Sequence, residues 1–442
     1  MSSQEAFVAA ARFGFGPKPG DAKAPASDPK SWVLEQFRAR ARAEPALAGL
    51  PSAAEAVREM LAFEKKKDMA AAQEMRQRAR RAYLSEAGAR MRLAVSGEAP
   101  ARERLVRFWT NHFTVSVQRP KVLALAGAFE REAIRPHATG RFADLLHASA
   151  RHPAMLLYLD NARSIEPNSA QGQRRERGLN ENLAREILEL HTLGVDGGYT
   201  QDDVRTLAAI ITGWTIAPPK GGEGGGFAFA RAMHEPGEKM LLGKRYKEAG
   251  EAEGLAALDD LARHPATARH IARKLARHYI ADEPPADAVE RIARVFRDTD
   301  GNLAAVMAQV VAEDGAWRPL VKVRSPDDLL IAASRAVGIA EWPEERLVET
   351  LRELGQAPFA APSPAGWPDT AKDWVAPEAT LRRVEWCAAF AERLPRQLDA
   401  NALVATALGP LAAPTTLQAV ERAADWRQGV ALALASPEFQ RR

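Results

Sequence analysis

The chain has 442 residues, 46% of them hydrophobic and 27% charged, a balance typical of globular proteins and not of disordered ones. The formal net charge is only +4 and the basic residues fall in short clusters, so nucleic-acid binding is not predicted. Cys387 is the single cysteine, which excludes an intrachain disulfide and any zinc or iron–sulfur site built from several cysteines.

No run of residues approaches the eighteen consecutive apolar positions that a membrane-spanning helix needs. The first residues also lack the basic segment and apolar stretch of a secretory leader. We therefore expect a cytoplasmic protein without a membrane span, or one that is exported only when bound to another protein.

Helical periodicity predominates along the chain. Apolar residues recur every fourth position over 53–95, which predicts one long helix or, with a break near Lys65–Asp68, a helical hairpin. The same periodicity predicts further helices, among them 99–112, 179–193, 201–213 and 266–280.

The segment 218–226 is rich in proline and glycine and is the strongest break in this pattern. We place a linker there, between an N-terminal helical half, 1–217, and a C-terminal half, 227–442. Residues 227–230 and 239–242 are expected to pair as a small β-hairpin. The predicted fold is therefore mainly α, either one large multi-helical domain or two packed helical halves.

The helix near residues 180–191 carries an unusual density of amides and carboxylates. Asn180 is suited to the N-cap and Gly194 to the C-cap, so both ends are defined. At about 100° per residue, one stripe of the helix contains Asn182, Arg185, Glu186 and Glu189. His191 lies on the opposite, apolar side, so a site on this stripe needs a histidine from another segment, and His112 is the first choice.

Two site hypotheses follow from these residues. In the first, imidazoles and carboxylates from separate segments bind a divalent metal, and the ligands are His112, Glu186, Glu189 and His234. In the second, a glutamate and a histidine form an acid–base pair in a cleft under Trp109 and Trp214, and the catalytic candidates are His112, Glu186 and Glu189. The candidate binding residues are Asn180, Asn182, Arg185, Trp109 and Trp214.

Other interpretations need no catalysis. The stripe is also what an exposed face of weak ion pairs would contain, or a buried network that locks two helices in a non-catalytic subunit. A further alternative is carbohydrate binding by Trp367 and Trp374, in the proline-rich loop 357–376. His270, Lys274 and His278 follow one another at intervals of four residues, but the ammonium between the imidazoles disfavours a metal, and we expect a solvated helix face.

Several segments together resemble the large bacterial family catalogued as domain of unknown function 1800. The segments that carry the resemblance are 12–16, 108–113, 153–161, 180–194, 199–204, 212–214, 234–239, 366–368 and 436–439. The resemblance implies a helical protein of no established activity. It also implies a partner similar to the family called domain of unknown function 1501, whose members look like exported proteins of the alkaline-phosphatase type.

Overall fold

The protein is mainly α-helical in the computed structural model, which describes residues 4–20, 28–38, 44–66, 68–165, 167–169, 178–395 and 397–442. The first ten helices are α1 (Gln4–Val8), α2 (Pro29–Arg38), α3 (Ala53–Lys66), α4 (Met69–Ser96), α5 (Pro100–His112), α6 (Ala126–Phe129), α7 (Phe142–Arg151), α8 (Pro153–Tyr158), α9 (Asn182–Glu186) and α10 (Gln201–Ile210). The π-helical turns that continue α1, α6 and α9 are Ala9–Phe13, Glu130–Ile134 and Ile187–His191.

The remaining helices follow four short strands. The strands are β1 (Trp214–Ile216), β2 (Phe227–Phe229), β3 (Lys239–Leu241) and β4 (Lys244–Tyr246). The later helices are α11 (Glu251–Arg263), α12 (Pro265–Tyr279), α13 (Ala286–Asp298), α14 (Leu303–Ala312), α15 (Pro326–Val337), α16 (Glu344–Glu353), α17 (Ala371–Trp374), α18 (Pro377–Glu392), α19 (Ala400–Ala407), α20 (Pro414–Glu421) and α21 (Trp426–Ala435). The prediction of a mainly α fold is confirmed.

The long helical pattern over 53–95 is divided between α3 and α4, which pack against each other. Asp68 is the N-cap of α4, and its carboxylate accepts a hydrogen bond of 2.7 Å from the amide of Ala71. An aspartate at this position satisfies an otherwise unpaired backbone donor of the first turn. The second of the two predicted forms, a helical hairpin, is therefore the one observed.

The predicted β-hairpin between 227–230 and 239–242 is wrong. β2 pairs antiparallel with β1, and β4 with β3, so the two segments belong to different sheets. Residues 218–226 form the loop of the first hairpin, where Gly221 and Gly222 have positive φ angles. Leu242 and Gly243, both with positive φ, close the second hairpin as a two-residue turn. The sequence pattern identified the segments of β2 and β3, but neither their partners β1 and β4 nor the turns that join each pair.

The apolar side chains form two clusters. The larger cluster includes Phe13, Trp109, Leu258 and Val310, so it draws residues from both sides of segment 218–226. The smaller cluster is formed by α15 together with the last four helices and contains the buried Cys387. The division into halves at 218–226 stays a prediction.

Arg-His-Pro occurs at 151–153 and again at 263–265, and both copies begin a helix. The Nδ1 atom of His152 accepts a hydrogen bond of 3.1 Å from the amide of Ala154, and that of His264 accepts one of 3.2 Å from Ala266. Each histidine therefore acts as the N-cap before a proline in the first turn. The second copy fixes the start of α12, the helix that carries most of the site described below.

The C-terminal end of α12 is fixed by Arg12, which is fully buried. Its guanidinium donates hydrogen bonds of 2.8 Å to the carbonyl of Tyr279, 2.8 Å to that of Arg318 and 2.9 Å to a backbone oxygen of Arg442. One side chain thus joins the first turns of the chain to three distant segments. Within the described ranges, no helix combines the length and apolar composition required to cross a membrane.

Candidate active site

The polar helix near residues 180–191 is divided as the helical wheel predicts. Leu183, Ile187, Leu188 and His191 are buried, whereas Asn182 is exposed. Arg185, Glu186 and Glu189 are half-buried. The prediction that His191 lies on the apolar side, away from the carboxylates, is confirmed.

The polar stripe contacts α10 and the turn before it. The Glu181 carboxylate accepts hydrogen bonds of 2.9 Å from Arg185 and 2.7 Å from Gln201. The Tyr199 hydroxyl donates to Glu189 at 3.2 Å. These side chains therefore join two neighbouring helices instead of facing a cavity.

Asn180 lies one position further from the helix than predicted. α9 begins at Asn182, so the N-cap position falls on Glu181, whose side chain makes no capping bond. The Asn180 side chain accepts a hydrogen bond of 2.9 Å from the amide of Asn182, while its own amide donates to Ser164 at 3.0 Å. Asn180 thus stabilises the first turn from outside the helix.

Glu186 has the most perturbed carboxyl group on the stripe. Burial, and next the charge of Glu189, raise the pKa of Glu186 to about 7, whereas Arg185 opposes the shift. Glu186 also contributes to the raised pKa of Tyr158, after burial. A glutamic acid that titrates near neutrality is able to exchange protons in catalysis. Burial without any catalytic role raises the pKa in the same way, so the pKa alone does not identify a catalytic group.

His112 and Trp109 lie inside the protein at the end of α5. The Nε2 atom of His112 is 3.1 Å from the carbonyl oxygen of His191, and its Nδ1 has no hydrogen-bond partner. Burial lowers the pKa of His112 well below its usual range. The Trp109 indole donates to the carbonyl of Ala138 at 3.1 Å, as a satisfied core tryptophan does.

His234 and Trp214 belong to a different neighbourhood. The Nδ1 atom of His234 is 2.9 Å from the carbonyl oxygen of Thr212, and its Nε2 is 3.3 Å from the Glu253 carboxylate. Lys239 forms an ion pair of 3.1 Å with the same carboxylate. Trp214 is fully buried.

The structure does not bring the predicted metal ligands together. In the part of the chain that is described, no group of three or more His, Cys, Asp or Glu side chains is arranged to hold an ion. No hydrogen bond or ion pair joins any two of the four, which are His112, Glu186, Glu189 and His234. The acid–base pair of His112 and Glu186 under Trp109 and Trp214 is not formed either.

A cavity of about 660 Å³ lies elsewhere, and of the predicted catalytic residues its lining contains only His112. Its walls are the end of α5, one face of α12, the start of α15 and the loop that leads into α17. Exposed side chains at its rim, Asp196, Arg273 and Lys372, indicate that it opens to solvent. The volume falls within the range of small-molecule binding sites.

One stripe of α12 supplies five basic side chains to this cavity, at positions i, i+3, i+4, i+7 and i+8. They are His270, Arg273, Lys274, Arg277 and His278. The expectation of a solvated helix face at His270, Lys274 and His278 is therefore wrong. These three side chains are half-buried, because α5 and the loop before α17 lie over the stripe.

His278 is oriented by a carboxylate. Its Nδ1 is 2.6 Å from Asp369, so the imidazole donates its Nδ1 proton and leaves Nε2 with a free lone pair. Burial lowers the pKa of His278 to about 4, and the opposing charge of Asp369 does not overcome it. The charges of His278 and then Lys322 hold the pKa of Asp369 well below its usual range, although burial acts in the opposite direction. At neutral pH the pair is a neutral imidazole beside an ionised aspartate.

Lys274 lies one helical turn before His278. Its ammonium forms no hydrogen bond or ion pair within the described residues. Burial lowers the pKa of Lys274 to about 8, and the charge of Asp369 acts against that shift. An amine with this pKa exists in both protonation states at neutral pH.

Asn111 fixes the loop that carries Asp369. The Asn111 side chain accepts a hydrogen bond of 2.7 Å from the amide of Trp367 and donates one of 2.9 Å to its carbonyl. Gly366 has a φ of +86°, and a Cβ there would lie 2.4 Å from the Asn111 carbonyl oxygen. Two segments of the family pattern, 108–113 and 366–368, therefore meet at the cavity and place Asp369 against His278.

The acidic side chains of the α15 wall are already paired. Asp328 binds Arg104 at 2.9 Å and Arg442 at 3.1 Å, and their charges hold its pKa well below the usual range despite burial. Asp327 forms an ion pair with Arg107. Neither carboxylate of this wall is therefore free to neutralise the positive charge on α12.

The tryptophans of the loop at 357–376 are less exposed than the carbohydrate alternative requires. Trp374 is buried and Trp367 is half-buried, and their ring centroids are 6.3 Å apart. Trp374 donates to the carbonyl of Pro368 at 3.2 Å. Both rings line the cavity and so add an aromatic surface to its lining.

Sequence reasoning found the spacing of His270, Lys274 and His278 but missed their setting. The signal available was a complete stripe, since Arg273 and Arg277 complete the i, i+3, i+4 pattern and the opposite face is apolar. A basic stripe on a helix whose other residues are small and apolar indicates a helix that is buried on most sides and has one solvent-accessible face. Asp369 gave no signal of its own, because its partner lies 91 residues away.

The fold and the site together define a mainly α-helical protein with a cavity lined by basic and aromatic side chains. Comparison with family models places the chain in a family: residues 8–441 match the one described as Protein of unknown function (DUF1800), and the chain belongs to it. Comparisons with curated proteins and with solved structures gave no match.

Proposed function

We propose that the protein is an acid–base enzyme that acts on a small molecule bound in the α12 cavity. The proposal is carried by one observation: an unpaired lysine lies one helical turn from a histidine that a carboxylate orients, and both line the same cavity. Lys274 and His278 are the proton-transfer groups, and Asp369 and Asn111 are positioning residues. The site of the proposal thus moves from the polar stripe of α9 to α12.

Lys274 suits proton transfer because burial brings its pKa to about 8. Enzymes lower lysine pKa values in this way when the amine has to accept a proton near neutral pH. His278 complements it as an acceptor, because Asp369 holds the Nδ1–H and stabilises the imidazolium that forms when Nε2 takes a proton. Two bases one turn apart can serve the two ends of a proton transfer.

A screen for turnover tests the proposal. The protein is incubated with a mixture of cellular metabolites, and mass spectrometry follows compounds converted in amounts exceeding the protein. We expect at least one such compound with the unchanged protein, and at least a hundredfold slower conversion by Lys274→Gln, which removes the amine without breaking a protein hydrogen bond. Asp369→Asn should show the same loss.

Asp314→Asn is the matched control, because Asp314 is exposed and lies outside the cavity lining. It should convert the compound at the unchanged rate. If the screen finds no turnover, or if folded Lys274→Gln keeps the full rate, the acid–base proposal is wrong.

A second candidate is a non-catalytic helical subunit that binds a phosphatase-like partner protein similar to the domain of unknown function 1501 family. The contacts of Glu181 with Arg185 and Gln201 favour it, because they lock α9 to α10 as a structural network would. Under this candidate Glu186→Gln destabilises the protein and no turnover is found. The two proteins would be expressed together and purified. Co-purification, without turnover by the unchanged protein or its variants, would favour the non-catalytic subunit.

A further inference from the structure

We propose that the α12 cavity recognises its ligand through an oxyanion, a carboxylate or phosphate group, with Lys274 as the main contact. The inference names the substrate class of the proposed enzyme, and it rests on the same cavity. Three features support it: the charges that line the cavity, the lack of a hydrogen-bond or ion-pair partner for Lys274 among the described residues, and the size of the cavity.

The fixed charges of the cavity do not cancel. On the α15 side, Asp328 is shared by Arg104 and Arg442, and this wall offers no free carboxylate deep in the site. On the α12 side, Arg273 and Lys274 form no ion pair among the described residues, and Arg277 binds only the carbonyl oxygen of Asp282. Asp369 also lines the cavity, but His278 and Lys322 already contact its carboxylate. The charge that remains along α12 is positive.

An unpaired ammonium below the surface is costly. Removing it from bulk water costs free energy that the charge of Asp369 returns only in part, and this is why the pKa of Lys274 is lowered. An anion bound beside the amine would return that free energy. A site that keeps such a lysine is therefore organised for a negative ligand or a developing negative charge.

The α5 wall of the cavity contains another unsatisfied group. The Nδ1 atom of His112 is buried and has no hydrogen-bond partner, which is rare for a buried polar atom. His112 stands close to Lys274, since the charge of Lys274 contributes to its lowered pKa after burial. An anion accepted by Lys274 would stabilise the charged form of this imidazole as well.

The size of the cavity favours a small ligand. Its volume of about 660 Å³ is that of a small-molecule site, and Lys274 lies half-buried within it, which favours a small anion over a nucleic-acid backbone or a membrane surface. Trp367 and Trp374, in the loop that carries Asp369, also line the cavity and provide an apolar contact for the rest of a small ligand. The ligand class is thus a small molecule with one or two oxyanion groups and an apolar or ring-shaped body.

Binding of simple anions tests the inference. Calorimetry and thermal unfolding are followed with inorganic phosphate, with succinate and with chloride at the same ionic strength. We expect phosphate, succinate or both to bind the unchanged protein and to raise its Tm relative to chloride. Lys274→Met should weaken that binding at least tenfold. Lys247→Met, which removes an exposed lysine outside the cavity lining, should bind as the unchanged protein does.

Comparing phosphate with succinate shows whether the cavity recognises a phosphate group or a carboxylate group. The inference is overturned if neither binds above chloride, or if Lys274→Met binds as tightly as Lys247→Met. The result is separable from the proposed function: anion binding at Lys274 without turnover would contradict the enzyme and keep the oxyanion site. Turnover of an uncharged compound without anion binding would contradict the oxyanion site and keep the enzyme.

Discussion

The α12 stripe and the polar stripe of α9 both place polar and charged side chains along one helix face at the same spacing, yet they lie in different environments. The α9 stripe is paired with α10 through Glu181, and its side chains are exposed or half-buried. The α12 stripe lies beneath the end of α5 and the loop before α17, and its lysine has no partner. Periodicity thus establishes which residues share a face, but the environment of that face depends on segments distant in sequence.

The electrostatics of the two regions also differ in sign. Burial raises the pKa of Glu186 on α9, whereas it lowers the pKa of His270 and of Lys274 on α12. Each shift disfavours the charged form of the group. On α9 this is the negative form of a carboxyl group, and on α12 it is the positive form of an imidazole and an amine. Substitutions of matched chemistry in the two regions should therefore have different effects.

The largest difference is expected when one carboxylate is changed to an amide in each region. Asp328→Asn leaves Arg104 and Arg442 buried beside the cavity without their counter-charge. Breaking a buried pair in this way costs about 3–5 kcal/mol of unfolding free energy. Urea unfolding at neutral pH measures the loss.

Glu181→Gln is the corresponding change on α9. Its partners Arg185 and Arg205 remain hydrated, so the loss should stay below about 1 kcal/mol. Equal losses for the two variants would mean that the regions do not differ in the way described.

The pH dependence of stability should have opposite signs in the two regions. Burial lowers the pKa of His270 to about 4, so its contribution is complete above its unfolded pKa of 6.5 and is lost as the pH falls towards 4. The change approaches about 3 kcal/mol for a fully shifted group. His270→Gln should abolish this part of the acid-side decline, as measured by urea unfolding between pH 4 and 7.

Glu186 should act in the reverse direction. Its pKa is raised to about 7, so its contribution is complete below the unfolded value of 4.5 and is lost as the pH rises through 7. Glu186→Gln should therefore gain about 1–2 kcal/mol relative to the unchanged protein between pH 5 and 8. A destabilised Glu186→Gln at pH 8 would contradict this and support the structural-network interpretation.

The smallest difference concerns two glycines of the turn between α9 and α10. Gly194 and Gly198 have φ angles of +85° and +83°, so alanine at either costs about 1–2 kcal/mol of backbone strain. A Cβ at Gly194 would also lie 2.8 Å from Nδ1 of His270, whereas nothing lies within 4 Å of one at Gly198. Gly194→Ala should therefore lose more stability and should alone shift the His270 ring resonances in NMR spectra.

Much of the fold follows from the sequence. The apolar period and the break at Lys65–Asp68 predicted the helical hairpin of α3 and α4. Thr200 forms the N-cap of α10, with Asp203 completing a capping box, and this pattern is also visible in the local sequence. The division of the α9 helix into a polar side and a side with His191 also followed from spacing alone. These features depend on neighbours within about one turn, which the sequence displays directly.

The site could not be predicted in the same way. The contact of His278 with Asp369 spans 91 residues, and that of Asn111 with Trp367 spans 256. Nothing local in α12 reveals that a distant loop covers it, so its stripe has the pattern of a solvated face. The positions of His112 and His234 could not be predicted for the same reason: each is buried, but in a separate neighbourhood.

The central claim is that Lys274 is an unpaired amine in a cavity made for an oxyanion. A ¹³C NMR titration of its ε-carbon, assigned with Lys274→Met, tests this most directly. The account predicts a midpoint near pH 8, well below the ordinary 10.5, and an upward shift when phosphate or succinate binds. A midpoint near 10.5 that neither anion changes would contradict it.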